Sequence, residues 1–171
     1  TIGTEDNIND SGDTYVSWNW KANGAGSSNE DGSITSTVSV STTGAFSIVK
    51  YVGDGTDDDS ATIGHGLGVA PNNIVIKCVT ATSGWKTSNT SLGWNNIMDL
   101  RENSVEAAGT QAFGVSGVTP STTTFTVAAS SGGSHTNTSG ETYMAYCWAE
   151  VKAYSKFGAY VGNGNADGTF V

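Results

Sequence analysis

A ten-residue block near the start of the chain, Ser11-Gly12-Asp13-Thr14-Tyr15-Val16-Ser17-Trp18-Asn19-Trp20, returns 128 residues later as Ser139-Gly140-Glu141-Thr142-Tyr143-Met144-Ala145-Tyr146-Cys147-Trp148. Its large side chains return position by position: Val16 with Met144, Trp18 with Tyr146, Trp20 with Trp148. An apolar residue at every second position is the period of a strand, and a helix would scatter the same residues around its axis. A second block, Tyr51-Val52-Gly53-Asp54-Gly55, returns in the same order as Tyr160-Val161-Gly162-Asn163-Gly164, offset by 109. Matched strand-forming blocks at long spacing mark a chain built of repeating units. One full unit, the main β-sandwich, is expected over residues 41–152. Residues 1–40 then hold a strand and a Gly/Ser-rich loop region from a preceding unit, packed on the main one. Residues 153–171 open the next unit, so on this reading the chain starts and stops inside a repeating pattern.

The aliphatic residues agree: 15 Val and 8 Ile stand against 3 Leu, and β-branched side chains suit a pleated strand where Leu favours helix. Alternation bounded by turn residues places strands at 14–20, 34–40, 45–52, 73–79, 94–100, 123–128, 141–152 and 157–161. Residues 22–32 read as a loop, and 100–108 as the single helical turn. Many short strands with turns between them predict an all-β fold, an antiparallel β-sandwich of jelly-roll or concanavalin-like type with flanking strands from the repeat.

Seven basic residues against 16 acidic ones leave a net charge of −9. Such a surface does not neutralise phosphates, which argues against nucleic acid and against anionic membranes as partners. No apolar run approaches the ~20 residues needed to span a bilayer. The abundance of Gly, Ser, Thr and Asn and the scarcity of Lys fit an extracellular or virion surface. Cys78 and Cys147 sit in apolar, strand-like runs and read as buried free thiols, with one disulfide as the alternative.

Four groups of residues are candidates for chemistry. His65, in Gly64-His65-Gly66-Leu67-Gly68, and His135 are the only histidines; no Gly-x-Ser-x-Gly elbow accompanies them, and His65 is expected to bond to backbone in its own turn. Asp99 with Glu102, or Glu141 with Glu150, are the pairs a glycosidase would need, and they read more simply as solvated strand-end charges. The acidic loop carrying Asp54, Asp57, Asp58 and Asp59, together with its counterpart carrying Asn163, Asn165 and Asp167, has the alternating oxygen donors of a Ca²⁺ loop. An Asx-rich hairpin turn is the alternative. Finally, Trp85, Trp94, Asn95 and Asn96 put indoles beside amides, the combination that stacks on a pyranose and fixes its hydroxyls. Trp94 packing inward, with Trp85 over a sheet end, is the competing reading.

Several longer runs resemble a domain that recurs in large virion proteins of marine tailed phages. They are Gly12-Asp13-Thr14-Tyr15-Val16-Ser17-Trp18-Asn19-Trp20-Lys21-Ala22, Asn29-Glu30-Asp31-Gly32-Ser33-Ile34-Thr35-Ser36-Thr37-Val38-Ser39, Gly64-His65-Gly66-Leu67-Gly68-Val69-Ala70-Pro71, Ala145-Tyr146-Cys147-Trp148-Ala149-Glu150-Val151 and Ser155-Lys156-Phe157-Gly158-Ala159-Tyr160-Val161-Gly162-Asn163-Gly164. The resemblance covers nearly all of the chain and supplies no catalytic residues. It implies a non-enzymatic virion module of tail-fibre type; with the indole–amide group read above, the expectation is an adhesion module that contacts host-surface glycans and requires no cofactor, Ca²⁺ at the acidic loops being an addition. A capsid-decoration or filament-forming subunit joined to copies of itself or to other virion subunits by strand pairing is the alternative, and a polysaccharide depolymerase the more distant one.

Overall fold

The computed structural model describes residues 9–101, 105–106, 112–129 and 136–168. Its elements are ten β-strands: β1 (Ser27–Asn29), β2 (Ser36–Val40), β3 (Phe46–Val52), β4 (Thr62–Gly64), β5 (Asn73–Cys78), β6 (Trp85–Asn89), β7 (Ile97–Asp99), β8 (Val105–Glu106), β9 (Thr124–Thr126) and β10 (Thr142–Trp148). Eight of them form one antiparallel sheet in the order β1-β2-β3-β10-β5-β6-β7-β8, and β4 pairs with β9 in a second, smaller sheet. The chain is thus an all-β, antiparallel sandwich.

Alternation along the central strands explains the layering. From β10, Tyr143, Ala145 and Cys147 point inward; from β3, Val49 and Tyr51; from β5, Ile74, Ile76 and Cys78. The smaller layer answers with Ile63 of β4, Phe125 of β9, and Phe113, Val127 and Trp94 from the connecting segments. Each large side chain so buried contributes about 1.5–3 kcal/mol by leaving water. Tyr51 and Tyr143 face each other across β3 and β10 with rings stacked at 5.2 Å. Their hydroxyls are both engaged: Tyr51 donates to the Thr136 carbonyl at 2.6 Å, and Tyr143 accepts from the Thr138 N–H at 3.0 Å. Cys78 and Cys147 are buried free thiols, and burial pushes the Cys147 thiol up to about 12.

Five strands, β2, β3, β5, β9 and β10, fall inside the spans read from alternation, and β7 inside 94–100. β1 and β2 join the large sheet beside β3, so residues 27–40 contribute to the same sheet as β3 and β10. Two expected strands are absent from both sheets: 14–20 and 157–161. In the second copy of the repeat, β10 has β3 on one side and β5 on the other and turns Ala145 and Cys147 into the core. The first copy carries Ser17 and Asn19 at those positions, which offer little to bury, and Trp18 is 75 % exposed. Likewise Gly158 stands where β3 has the buried Val49. The helical turn expected at 100–108 is corrected at 105–106, while 102–104 and 107–108 lie outside the described residues. Val105 and Glu106 form β8 against Met98 and Ile97, and this pairing satisfies backbone groups that one isolated helical turn leaves open.

Candidate functional site

The large sheet buries one face and leaves the other uncovered by the second layer. Its register therefore dictates which side chains meet there. Trp85, Lys77, Met144 and Lys50 lie opposite one another across β6, β5, β10 and β3; the next outward row is Thr87, Val75, Tyr146 and Ile48, and the third Asn89, Asn73, Trp148 and Phe46. A line of rings crosses this grid diagonally. Trp85 lies 6.3 Å from Tyr146 with planes 23° apart, and Tyr146 lies 6.3 Å from Trp148 at 26°. Phe46, buried at 5 % exposure, lies 5.1 Å from Trp148 and 6.3 Å from Trp20, and Trp20 closes the line edge-on, 5.4 Å from Trp148. The first three rings of this track are thus near-parallel and held on paired strands.

A concavity lies at each end of the track. At the Trp20 end, a groove of about 690 Å³ is bounded by Trp20, Phe46 and Trp148 together with Lys21, Asn73 and Lys156. At the other, a shallower hollow of about 630 Å³ lies between Lys77, Trp85, Tyr146 and the 79–83 loop. The Lys77 ammonium is pinned on that rim by the carbonyls of Cys78 and Ser83, at 2.9 and 2.8 Å. Beside the groove, the buried Trp148 indole N–H finds no acceptor among the described residues.

The four residues nominated for glycan contact do not form one surface. Trp85 is exposed and opens the track, whereas Trp94 is 5 % exposed and packs edge-on against Phe113 at 5.3 Å, on the opposite side of the sheet. The turn after β6 carries Trp94 under the sheet: Gly93 takes a φ of +84°, which costs a glycine nothing, and Asn96 Nδ2 donates to the Leu92 carbonyl at 3.0 Å. Asn96 thus serves that turn, and Asn95 is exposed within it. Sequence reasoning passed over Tyr146, Trp148, Phe46 and Trp20 as site residues. The signal was available in β10, which is apolar on both faces although one face suffices for a core.

The acidic loops are occupied by their own backbone. Asp54 Oδ1 accepts from the Thr56 N–H at 2.8 Å and from Asn137 Nδ2 at 2.8 Å; Asp58 Oδ1 accepts from the Ser60 N–H at 2.7 Å. Asp59 accepts from the Ser116 N–H and hydroxyl, while Asp57 is exposed. In the counterpart loop Asn163 Oδ1 accepts from the Asn165 N–H at 2.9 Å, and Asp167 is exposed. These are Asx turns. Among the described residues no three His, Cys, Asp or Glu side chains group as metal ligands.

The carboxylate pairs are equally committed. Asp99 is bound by Lys86 and Arg101, and Glu102 lies outside the described residues. Glu141 accepts from the Thr80 hydroxyl, and Glu150 from the Phe157 N–H at 3.1 Å. Glu141 and Glu150 lie beyond opposite ends of the seven-residue β10. At about 3.3 Å per residue the strand alone spans roughly 20 Å, too far for a glycosidase pair.

His65 is fully buried; its Nδ1 accepts from the Leu67 N–H at 3.2 Å and its Nε2 donates to the Ser121 carbonyl at 3.3 Å. His135 lies outside the described residues. Burial lowers the His65 pKa, opposed in part by the Ser121 hydrogen bond and the Asp31 charge. The unfolded chain, with an imidazole near about 6.5, therefore takes up the proton before the folded one does. Stability contributed by neutral His65 is full above that value and is lost as pH falls from it through the folded pKa. Thermal melts should hold steady above neutrality and drop as pH falls below about 6.5, and His65→Gln should flatten that drop. An unchanged drop in the variant would assign it to another group.

No helix among the described residues is long and apolar enough to cross a membrane. No curated protein and no solved structure matches the chain. A family model does match it, over residues 1–171, and the chain belongs to that family, described as a domain of unknown function, DUF7483.

Proposed function

We propose that this chain is a non-enzymatic adhesion module of a virion surface protein, and that it binds host-surface carbohydrate along the outer face of its large sheet. The observation that carries this reading is the aromatic line from Trp85 through Tyr146 to Trp148, held at near-parallel angles on paired strands. Sugar rings present apolar C–H faces to such planes, and Asn73 stands beside Trp148 in the same row to bond hydroxyls. Strands fix these side chains more firmly than loops would, so little ordering is required on binding.

The test is a polysaccharide panel read by titration calorimetry. Tyr146→Ala and Trp85→Ala should each weaken binding by about 10–30-fold, the loss typical of a central aromatic contact. Asn95→Ala, on the turn that carries Trp94 away from the track, should change nothing. Absence of binding to the whole panel, with concentration-dependent association of the chain in sedimentation, would replace this reading with the assembly one.

A further inference from the structure

We propose that the carbohydrate held on the outer face is acidic, a polymer of uronate or similarly charged sugars; this rests on the carbohydrate reading above and narrows it. The argument is the way charge is segregated. The chain has 16 acidic residues against seven basic ones. Yet the outward positions of β2, β3, β5, β6 and β10 hold no Asp or Glu, while Lys50 and Lys77 stand among them. The groove at the Trp20 end pairs its rings with Lys21 and Lys156 and the hollow at the Trp85 end pairs its rings with Lys77; the nearest carboxylates, Glu150 and Glu141, stand behind the rims, turned to the Phe157 N–H and the Thr80 hydroxyl. Four of the seven basic residues are thus gathered along one track on a protein whose net charge is −9.

A neutral sugar has no use for that distribution. A carboxylated one does, because an acidic protein repels it over most of its surface and least where lysines gather. Lys77 is the most firmly placed of the four. Two carbonyls hold its ammonium on the rim, and an ammonium has three N–H donors, so one remains for a ligand oxygen. Aromatic planes then supply stacking, and the lysines select charge.

The experiment compares alginate, a polyuronate, with neutral dextran on the chain 1–171 at low and at high sodium chloride. Alginate should bind at least about tenfold more tightly at low salt and lose that advantage as the salt screens it. Lys50→Glu and Lys156→Glu, both at exposed positions, should weaken alginate binding by about tenfold without lowering the melting temperature. Lys152→Glu, which lines neither concavity, should not. Equal binding of the two polymers, or alginate binding indifferent to salt and to the lysine variants, overturns the acidic assignment and leaves the carbohydrate reading standing. Failure of both polymers and of the wider panel overturns both.

Discussion

Asp99→Ala should destabilise the fold by about 3–5 kcal/mol, the usual cost of removing one member of a buried ion pair, seen as a lower urea midpoint at an unchanged slope. Asp99 and Lys86 have 1 % and 5 % side-chain exposure and approach to 3.3 Å on neighbouring strands. The carboxylate does more than balance charge. It accepts from the Trp85 and Arg101 backbone N–H groups at 3.2 and 3.1 Å and is gripped by the Arg101 guanidinium at 2.7 Å. Gly84 makes room for it, because a Cβ there would sit 1.8 Å from Asp99 Oδ2. Alanine at 99 strips Lys86 of this carboxylate and frees the start of β6, which carries Trp85. Adding Lys86→Met should recover much of the loss, since a well-packed apolar pair often replaces a buried ionic one at no cost. A loss below about 1 kcal/mol for Asp99→Ala would mean the pair is only a solvated surface contact. Acid should act on the same group. The Arg101 hydrogen bonds, helped by Lys86 and opposed by burial, hold the Asp99 carboxyl far below its ordinary value. Its contribution is therefore present above the unfolded carboxyl's pKa near ~3.9 and fades as pH falls below it, a more acidic window than that of His65.

Phe113→Ala should cost about 3–5 kcal/mol, the range for deleting a buried aromatic side chain. Phe113 is 1 % exposed and lies edge-on to Trp94 at 5.3 Å, a geometry worth about 0.5–1.5 kcal/mol beyond burial alone. The void would open beside an indole, so near-ultraviolet circular dichroism should lose the Trp94 signal at temperatures where the strand content persists. A midpoint shift under about 1 kcal/mol would show that the connecting segments collapse into the space.

Trp94 also marks a limit of what this sequence discloses. Nothing in Leu92-Gly93-Trp94-Asn95-Asn96 distinguishes an indole folded under a sheet from one offered to a ligand; the Gly93 backbone decides it. β6 was hidden for a related reason. Its inward residues are Lys86 and Ser88, satisfied by Asp99 and by the carbonyls of Gly93 and Asn96, so Trp85-Lys86-Thr87-Ser88-Asn89 looks like a polar loop. Where the inward side chains are apolar, alternation located β3 and β5 to within a residue, and β10 at its start, though that strand ends at Trp148, four residues short of the expected bound. It failed at 14–20 because that pattern reports an apolar face, whereas a place in a sheet also requires neighbours. The stacking track stayed out of sight because it is assembled by register. Trp85 and Tyr146 are 61 positions apart in sequence and adjacent only once β6, β5 and β10 have paired.

The order of the large sheet has a kinetic consequence. Among the ten described strands β10 is the last in chain order, yet it sits between β3 and β5 at the middle of the sheet. Until it emerges, β1-β2-β3 and β5-β6-β7-β8 are two separate half-sheets, each with an open edge where the other will be joined. Long-range pairing of this kind is slow to nucleate, and open strand edges invite pairing with other chains. A nascent chain stalled short of Trp148 would present two such edges and half a core to its neighbours, so the closing strand is also what protects the young protein from aggregation.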